Sequence, residues 1–110
     1  IQNGVNETLT LASKYGIDIE SYTTAISYGG GQNFYLDSKN APIKNEDYTT
    51  AFSVENMYKD VNICMNMAKE CGMHLAGEAA AKAVYDKAME IGCGKEDFCA
   101  TIKAVREMQK

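Results

Sequence analysis

Apolar residues recur at three- and four-residue steps through most of this chain, which is the spacing that places them on one face of an α-helix. The longest such stretch is FSVENMYKDVNICMNMAKECG, from Phe52 to Gly72. Ser53 is a favourable N-cap before it, and glycine is favoured just after a last helical turn. The core-facing stripe comprises Val54, Met57, Tyr58, Val61, Cys64, Met65, Ala68 and Cys71. We therefore predict one long central helix with a complete core-facing side.

Shorter segments with helical spacing lie on both sides of the central helix. We predict helices over 5–15, from the N-cap Asp18 to about Tyr28, over 33–38, over 78–91, and from Glu96 or Asp97 to about Met108. The segment KNAPIKNEDYTT contains the only proline, Pro42, and we predict a loop there. No segment alternates with period two. The pattern predicts an all-α, compact bundle of five or six helices that forms a single domain, residues 1–110.

The central helix also has a second side that the core does not explain. Successive helical residues turn by 100°, so Lys59, Ile63 and Met67 share a line roughly opposite the core stripe, and Asp60 lies between the two sides. Apolar residues beside a lysine favour contact with another domain, another subunit or a ligand. The alternative is that Ile63 and Met67 are ordinary exposed apolar residues beside solvated charges.

Composition and charge narrow the class of protein. Hydrophobic residues make up 45% of the chain and charged residues 24%, which is ordinary for a soluble globular domain. The net charge of −4, without a basic cluster, argues against nucleic acid or an anionic membrane surface as a partner. No apolar run is long enough to span a bilayer, and no signal peptide is visible. The chain begins with Ile1 rather than Met, and we interpret it as a piece of a longer protein.

The chain contains four cysteines, which could form disulfides, and one histidine, His74, which together with cysteines could bind zinc. The cysteines are Cys64, Cys71, Cys93 and Cys99. Cys64 and Cys71 would lie roughly 10 Å apart along one helix, which is too far for a disulfide. Because CxxC pairs are lacking, zinc is the weaker interpretation, and we expect no metal site. Reduced cysteines packed as small hydrophobic residues in a cytoplasmic protein are the simpler interpretation.

The segments GID, ISYGGGQNFYLDSK, FSVENMYKDVNICMNMAKECGM and YDKAMEIGCGKEDFCATI, in this order, resemble the C-terminal domain of the β-hydroxyacid dehydrogenases. This family includes 3-hydroxyisobutyrate dehydrogenase and 2-hydroxy-3-oxopropionate (tartronate semialdehyde) reductase, and it is related to 6-phosphogluconate dehydrogenase. The resemblance covers essentially the whole chain. Its most specific part is Phe52, which stands seven residues before the pair Lys59 and Asp60. A Gly-x-Gly-x-x-Asp motif follows at Gly92, Gly94 and Asp97.

Other positions agree with the family pattern or depart from it. Glu7 matches the acidic residue that the family carries in its long interdomain helix. His74 and Ala76 stand where the family often has prolines, and Cys99 stands where it usually has serine. These departures leave the expected fold unchanged, which is that of the C-terminal domain of 6-phosphogluconate dehydrogenase, but they leave the subgroup open.

The resemblance implies an enzyme whose other domain lies outside this chain. The family's Rossmann domain, its catalytic lysine and a nearby asparagine would precede Ile1. We therefore expect no catalytic residue in this chain, and we expect the chain alone to be inactive and to bind no dinucleotide. The parent reaction would be hydride transfer between NAD or NADP and a small hydroxy acid. The resemblance also implies a homo-oligomer, because family members commonly assemble through this helical domain.

The same resemblance gives residues of the central helix supporting roles. Lys59 is expected to bind the cofactor near the nicotinamide and the substrate, where an ammonium group can meet cofactor or carboxylate oxygens. Phe52 and Asp60 are expected to bind the substrate, Phe52 as an apolar wall and Asp60 at the substrate hydroxyl, with orientation of the surroundings of Lys59 as the alternative role of Asp60. The alternative hypothesis is a free-standing helical interaction module without chemistry of its own.

Overall fold

The computed structural model describes residues 1–110 and consists of helices and connecting turns. The α-helices are α1 (Gln2–Lys14), α2 (Ile19–Ser27), α3 (Phe34–Lys44), α4 (Val54–Glu70), α5 (Ala76–Glu90) and α6 (Thr101–Glu107). A 3₁₀ turn, Phe98–Ala100, leads directly into α6, and an isolated antiparallel bridge joins Ser53 to Asp97. The predicted all-α bundle is confirmed. None of the helices combines the length and apolar character needed to cross a bilayer.

Side-chain caps explain why three of the helices begin where they do. Asp18, Asn33 and Ser53 occupy the N-caps of α2, α3 and α4, and each side chain accepts a hydrogen bond from the backbone N–H three residues later. Gly72 follows the end of α4 with φ of 74°, a left-handed conformation that glycine adopts without a steric penalty. The predicted boundaries of the central helix, which is α4, are confirmed.

The loop predicted for the segment KNAPIKNEDYTT is wrong in its first half, because α3 continues through Pro42 to Lys44, and the connection begins only at Asn45. Proline removes the N–H that would serve the carbonyl of Ser38, but Ser38 is exposed, so water can satisfy that carbonyl. Ile43 is only 3% exposed, and its burial favours the last turn. The turn is closed by the Asn45 N–H, which donates to the Ala41 carbonyl at 3.0 Å.

The last helix also begins later than the pattern predicts. Asp97 caps the 3₁₀ turn by accepting from the Cys99 N–H, and regular α-helical geometry starts only at Thr101. The predicted start at Glu96 or Asp97 is therefore wrong by one turn. The tighter turn keeps the buried side chain of Asp97 outside the helix, facing the residues that precede α4.

Two apolar clusters form the core, one on each side of α6. The first joins α4, α5 and α6 through Val54, Val61, Val84, Tyr85, Ala88, Cys93, Ala100, Ala104 and Val105. The second joins α1 and α3 to the 3₁₀ turn and α6 through Val5, Leu9, Tyr35, Leu36, Ile43, Cys99 and Ile102. Met57, Tyr58 and Met65 pack partly buried against the first cluster, as the predicted stripe requires. Two predicted stripe residues lie outside both clusters: Cys64, which is only half-buried, and Cys71, which is exposed because α4 ends at Glu70.

Candidate functional site

Lys59 and Asp60 lie side by side on the exposed side of α4. The Lys59 Nζ is 3.7 Å from Asp60 Oδ1, and the two side chains are 65% and 51% exposed. Phe52 lies immediately before the N-cap Ser53 and is 38% exposed. From the helical rise, Lys59 lies roughly 10 Å further along the helix axis than Phe52. The structure thus pairs Lys59 with Asp60 and leaves both, with Phe52, open to a partner.

An uncovered apolar groove, which we name the α4 groove, begins at Asp60 and runs toward the start of α5. Its volume is about 700 Å³, and most of its lining is hydrophobic. It is lined by Asp60, Ile63, Cys64, Met67, Ala68, Glu70, Cys71, Met73 and Leu75. Ile63, Met67 and Met73 are each more than half exposed. The second side of α4 is therefore apolar and without a partner inside this chain.

The carboxylate of Asp97 holds the residues that lead into α4. Its Oδ1 accepts hydrogen bonds from the N–H groups of Ala51 at 3.0 Å and Phe52 at 3.2 Å. Its Oδ2 accepts from the Cys99 N–H at 3.1 Å. The Phe98 N–H donates to the carbonyl of Phe52 at 2.8 Å. The position of Phe52 thus depends on the turn that precedes α6.

Lys39 on α3 provides the positive charge that accompanies this buried carboxylate. Its Nζ lies 3.1 Å from Asp97 Oδ2, and the two side chains are 16% and 1% exposed. The same ammonium group lies 5.5 Å from the centroid of the Phe98 ring, within the range of a cation–π contact. An isolated buried carboxylate is costly, so the lysine makes the burial of Asp97 tolerable.

The environment of Asp97 also determines the ionisation of Cys99. Burial alone would raise the pKa of Asp97, but the hydrogen bonds from Cys99, Ala51 and Phe52 outweigh it and lower that pKa to about 2. Burial and the Asp97 carboxylate raise the pKa of the Cys99 thiol to about 12. Near neutral pH the carboxyl group is therefore charged and the thiol neutral, which excludes Cys99 as a nucleophile.

A second buried polar network ties four helices together. The Tyr35 hydroxyl donates to Asn6 Oδ1 at 2.7 Å, and Asn6 Nδ2 donates to Thr101 Oγ1 at 3.1 Å. The Gln2 amide also contacts Thr101, and the Tyr85 hydroxyl donates to Gln2 Oε1 at 2.9 Å. Burial raises the pKa of both tyrosines, so their hydroxyls remain protonated donors. This network joins α1, α3, α5 and α6 and serves packing rather than chemistry.

The remaining residues named in the sequence analysis lie outside the region of Lys59 and Asp60 or have no role in chemistry that the structure shows. Glu7 is exposed on α1 and accepts a hydrogen bond from Asn3 Nδ2 at 2.7 Å. Tyr28 is 85% exposed, and the Tyr58 hydroxyl donates to Asp86 Oδ1 at 2.7 Å. All four cysteines are free thiols, and no group of three His, Cys, Asp or Glu side chains is arranged to hold a metal ion.

Lys39 and Asn6 are the important residues that sequence reasoning missed. Lys39 lies in the segment predicted as a loop. Its partner Asp97 is far away in the sequence, because α4 and α5 come between them. Local periodicity carries no information about such a distant pair. The one signal in the sequence was Asp97, which belongs to the Gly-x-Gly-x-x-Asp motif, but the motif does not indicate which lysine pairs with it.

Comparison with known proteins adds to this geometry. Residues 2–105 match a family model described as NAD-binding of NADP-dependent 3-hydroxyisobutyrate dehydrogenase. Glyoxylate/succinic semialdehyde reductase 1 of Arabidopsis thaliana is 27% identical over 106 residues, which cover 96% of this chain and 37% of that protein. The probable 3-hydroxyisobutyrate dehydrogenase-like 1, mitochondrial, of the same plant is 33% identical over 82 residues, 74% of this chain and 25% of that protein.

Solved structures show the same fold. The 3-hydroxyisobutyrate dehydrogenase from Salmonella typhimurium superposes with a TM-score of 0.87 at 24% identity, covering 93% of this chain and 36% of that one. The Mycobacterium tuberculosis enzyme of the same name gives a TM-score of 0.81 at 24% identity, covering 96% and 38%. The chain therefore spans less than two-fifths of the length of these relatives. Because the family model spans nearly all of its residues, this chain belongs to the family described as NAD-binding of NADP-dependent 3-hydroxyisobutyrate dehydrogenase.

Proposed function

We propose that residues 1–110 form the helical, substrate-side and oligomerisation domain of an NAD- or NADP-dependent 3-hydroxy acid dehydrogenase or reductase. In this proposal the enzyme is of the 3-hydroxyisobutyrate dehydrogenase or 2-hydroxy-3-oxopropionate reductase type. Its Rossmann domain and catalytic lysine belong to a part of the polypeptide outside these residues. The family match and the length of the relatives support the proposal.

The observation that carries the proposal is the exposed Lys59–Asp60 pair, of which Asp60 lines the α4 groove. The ammonium and carboxylate are 3.7 Å apart and mostly exposed, so neither is committed to a tight ion pair. The apolar side chains next to them are uncovered, and exposed apolar surface of this kind usually marks a site of interaction. A charged pair at the edge of uncovered apolar surface is what one wall of an interdomain cleft requires.

The residues present fit a nicotinamide cofactor and a small acid substrate. A bound nicotinamide supplies or accepts the hydride in enzymes of this kind. Lys59 would place a positive charge against cofactor or carboxylate oxygens. Asp60 would accept a hydrogen bond from the substrate hydroxyl, and Phe52 would exclude water from the apolar side of the substrate. Proton transfer at the reacting oxygen is assigned to the catalytic lysine of the other domain.

The names of the relatives support a small substrate that carries an acid group. They describe enzymes of 2-(hydroxymethyl)glutarate in Eubacterium barkeri, L-threonate in Haemophilus influenzae and 3-sulfolactaldehyde in Escherichia coli. Each of these molecules carries both an anionic group and an alcohol or aldehyde group. We extend this chemical class, and no single member of it, to the protein that contains this chain.

Kinetics of the whole protein test the proposal. We expect oxidation of NADH or NADPH with at least one small aldehyde acid from a panel that includes succinic semialdehyde and tartronate semialdehyde. The isolated 110 residues should show neither turnover nor saturable binding of either dinucleotide by calorimetry. Absence of turnover by the whole protein with every panel member and both cofactors would count against the proposal.

The α4 groove also supports an alternative, a helical interaction module without catalysis. The coding sequence upstream of Ile1 separates the two hypotheses. A GxGxxG fingerprint after a predicted strand supports the enzyme, whereas a start codon immediately before Ile1 supports the module. Under either hypothesis the exposed Ile63 and Met67 favour association, so light scattering of the isolated chain should give a mass above the monomer.

A further inference from the structure

The stretch that ends at Ser53 is fixed to the turn before α6 through the side chain of Asp97. An N-cap carboxylate normally serves the first N–H groups of its own helix. Asp97 does this through Oδ2 and Cys99, but its Oδ1 accepts the N–H groups of Ala51 and Phe52, which belong to a different segment. One buried carboxylate therefore ties two separate parts of the chain together.

The backbone around Phe52 is held on both sides by this arrangement. Its N–H donates to Asp97, and its carbonyl accepts from the Phe98 N–H at 2.8 Å. Two further N–H groups are bound by the segment between α5 and this turn: Val54 donates to the Glu96 carbonyl at 2.8 Å, and Glu55 donates to the Gly94 carbonyl at 3.0 Å. The aromatic side chain, which is partly exposed, thus extends from a backbone with little freedom.

Lys39 completes the arrangement from a third element. Its Nζ reaches Asp97 Oδ2 at 3.1 Å while it lies 5.5 Å from the Phe98 ring centroid. With its side chain 16% exposed, Lys39 is far less solvated than the exposed Lys59. Lys39 therefore acts on the Asp97 carboxylate from α3.

We propose that Lys39 and Asp97 form a positioning pair that holds Phe52 at the wall of the substrate pocket. The inference rests on the proposed function for the role of Phe52, but the immobilisation of residue 52 is independent of it. Neither Lys39 nor Asp97 touches the substrate. They act through the hydrogen bonds that fix the backbone before α4.

Two physical measurements test the immobilisation directly. The chain contains no tryptophan, so Phe52→Trp introduces a single indole reporter at the site. In that background Lys39→Gln should lower the fluorescence anisotropy of the indole reporter and raise its quenching by acrylamide about twofold, and Lys39→Arg should restore both. Without the reporter, Lys39→Gln should speed hydrogen exchange at the Ala51 and Phe52 amides about tenfold, because their shared acceptor is less firmly held.

The matched control is Lys82→Gln, which removes an ion pair with Asp86 on α5. It should change neither the anisotropy of the indole reporter nor exchange at the Ala51 and Phe52 amides. Unchanged anisotropy and exchange in Lys39→Gln would overturn the inference, whatever the enzyme does.

Kinetics of the whole protein test the consequence for the substrate. Lys39→Gln should raise KM for the hydroxy acid about fivefold or more, leave KM for the dinucleotide unchanged, and be rescued by Lys39→Arg. A merely structural loss would lower the active fraction, and so kcat, without this split. If the indole reporter becomes mobile but KM stays the same, the positioning pair stands and the proposed role of Phe52 in the pocket fails.

Discussion

Asn6 of α1 donates a hydrogen bond from Nδ2 to Thr101 Oγ1 of α6 at 3.1 Å, and neither side chain reaches solvent. The same amide accepts from the Tyr35 hydroxyl, so one residue satisfies buried polar groups on two other elements. Buried polar groups that lose their partner carry the full cost of desolvation. This relationship makes Asn6 a residue on which the packing of α1 depends.

We therefore expect Asn6→Ala to lower the free energy of unfolding by about 1–3 kcal/mol, because the Tyr35 hydroxyl loses its acceptor in a buried site. Urea denaturation followed by circular dichroism measures the change. Asn56→Ala, at an exposed position of α4, serves as the control and should stay within about 0.5 kcal/mol of the parent. Equal losses in the two variants would show that the buried network contributes nothing.

The two glycines of the Gly-x-Gly-x-x-Asp motif should respond differently to alanine. Gly92 has φ of 90°, a left-handed conformation that alanine adopts only with strain, so Gly92→Ala should cost about 1 kcal/mol or more. A Cβ at Gly94 would meet Met89 Sδ at 3.4 Å and Glu55 Oε2 at 3.6 Å, which are ordinary contacts. Gly94→Ala should therefore be close to neutral. Thermal unfolding of both variants checks this order, and a larger loss at Gly94 would contradict it.

Asp97 should make the domain sensitive to acid. Its pKa is about 2 in the folded chain against 3.8 as the ordinary value, so its stabilising contribution is complete above about pH 4 and is lost as the pH falls toward 2. The difference between the two pKa values corresponds to about 2 kcal/mol. Urea midpoints at about pH 5 and about pH 2.5 measure the loss.

Asp97→Asn is the decisive variant for this acid sensitivity, because it cannot titrate. It should be less stable than the parent at about pH 5, and the gap should narrow by about 2 kcal/mol at low pH. Asp37→Asn, an exposed position on α3, is the control and should leave the pH dependence unchanged. A gap between Asp97→Asn and the parent that is constant with pH would refute the assigned charge.

The helices could be predicted from the sequence because the residues that define them are close together in it. The N-caps Asp18 and Ser53 and the apolar stripe of α4 all lie within a few residues of the element they define. Pro42 misled the prediction because a proline usually marks a break, whereas here the burial of Ile43 outweighs the missing hydrogen bond.

The site was accessible only in part. Periodicity and resemblance together gave Phe52, Lys59 and Asp60 as candidates, and the structure places Lys59 and Asp60 together on an open face. Neither signal indicated that Asp97 would bind the backbone at Phe52 or that Lys39 would accompany it, because those contacts join residues far apart in sequence. Such contacts are decided by how the helices pack and not by any local pattern.

The central claim is that the two sides of α4 have different tasks, one in packing and one in the cleft. Met65 packs partly buried against the first apolar cluster, so Met65→Ala should cost about 2 kcal/mol, the lower end of the range for such truncations. It should change the kinetic constants little, once the folded fraction is taken into account. Lys69→Ala, an exposed lysine in the last turn of α4, should affect neither property.

Lys59→Ala in the whole protein tests this claim most directly, through kcat and KM for dinucleotide and hydroxy acid measured beside the melting temperature. The account predicts a fall of about tenfold or more in kcat/KM, which corresponds to the loss of one charged contact of about 1.4 kcal/mol. It also predicts a melting temperature within about 1 °C of the parent, because the side chain is 65% exposed and only loosely paired. Unchanged kinetics in a folded Lys59→Ala protein would contradict the account and make Lys59 an ordinary surface charge.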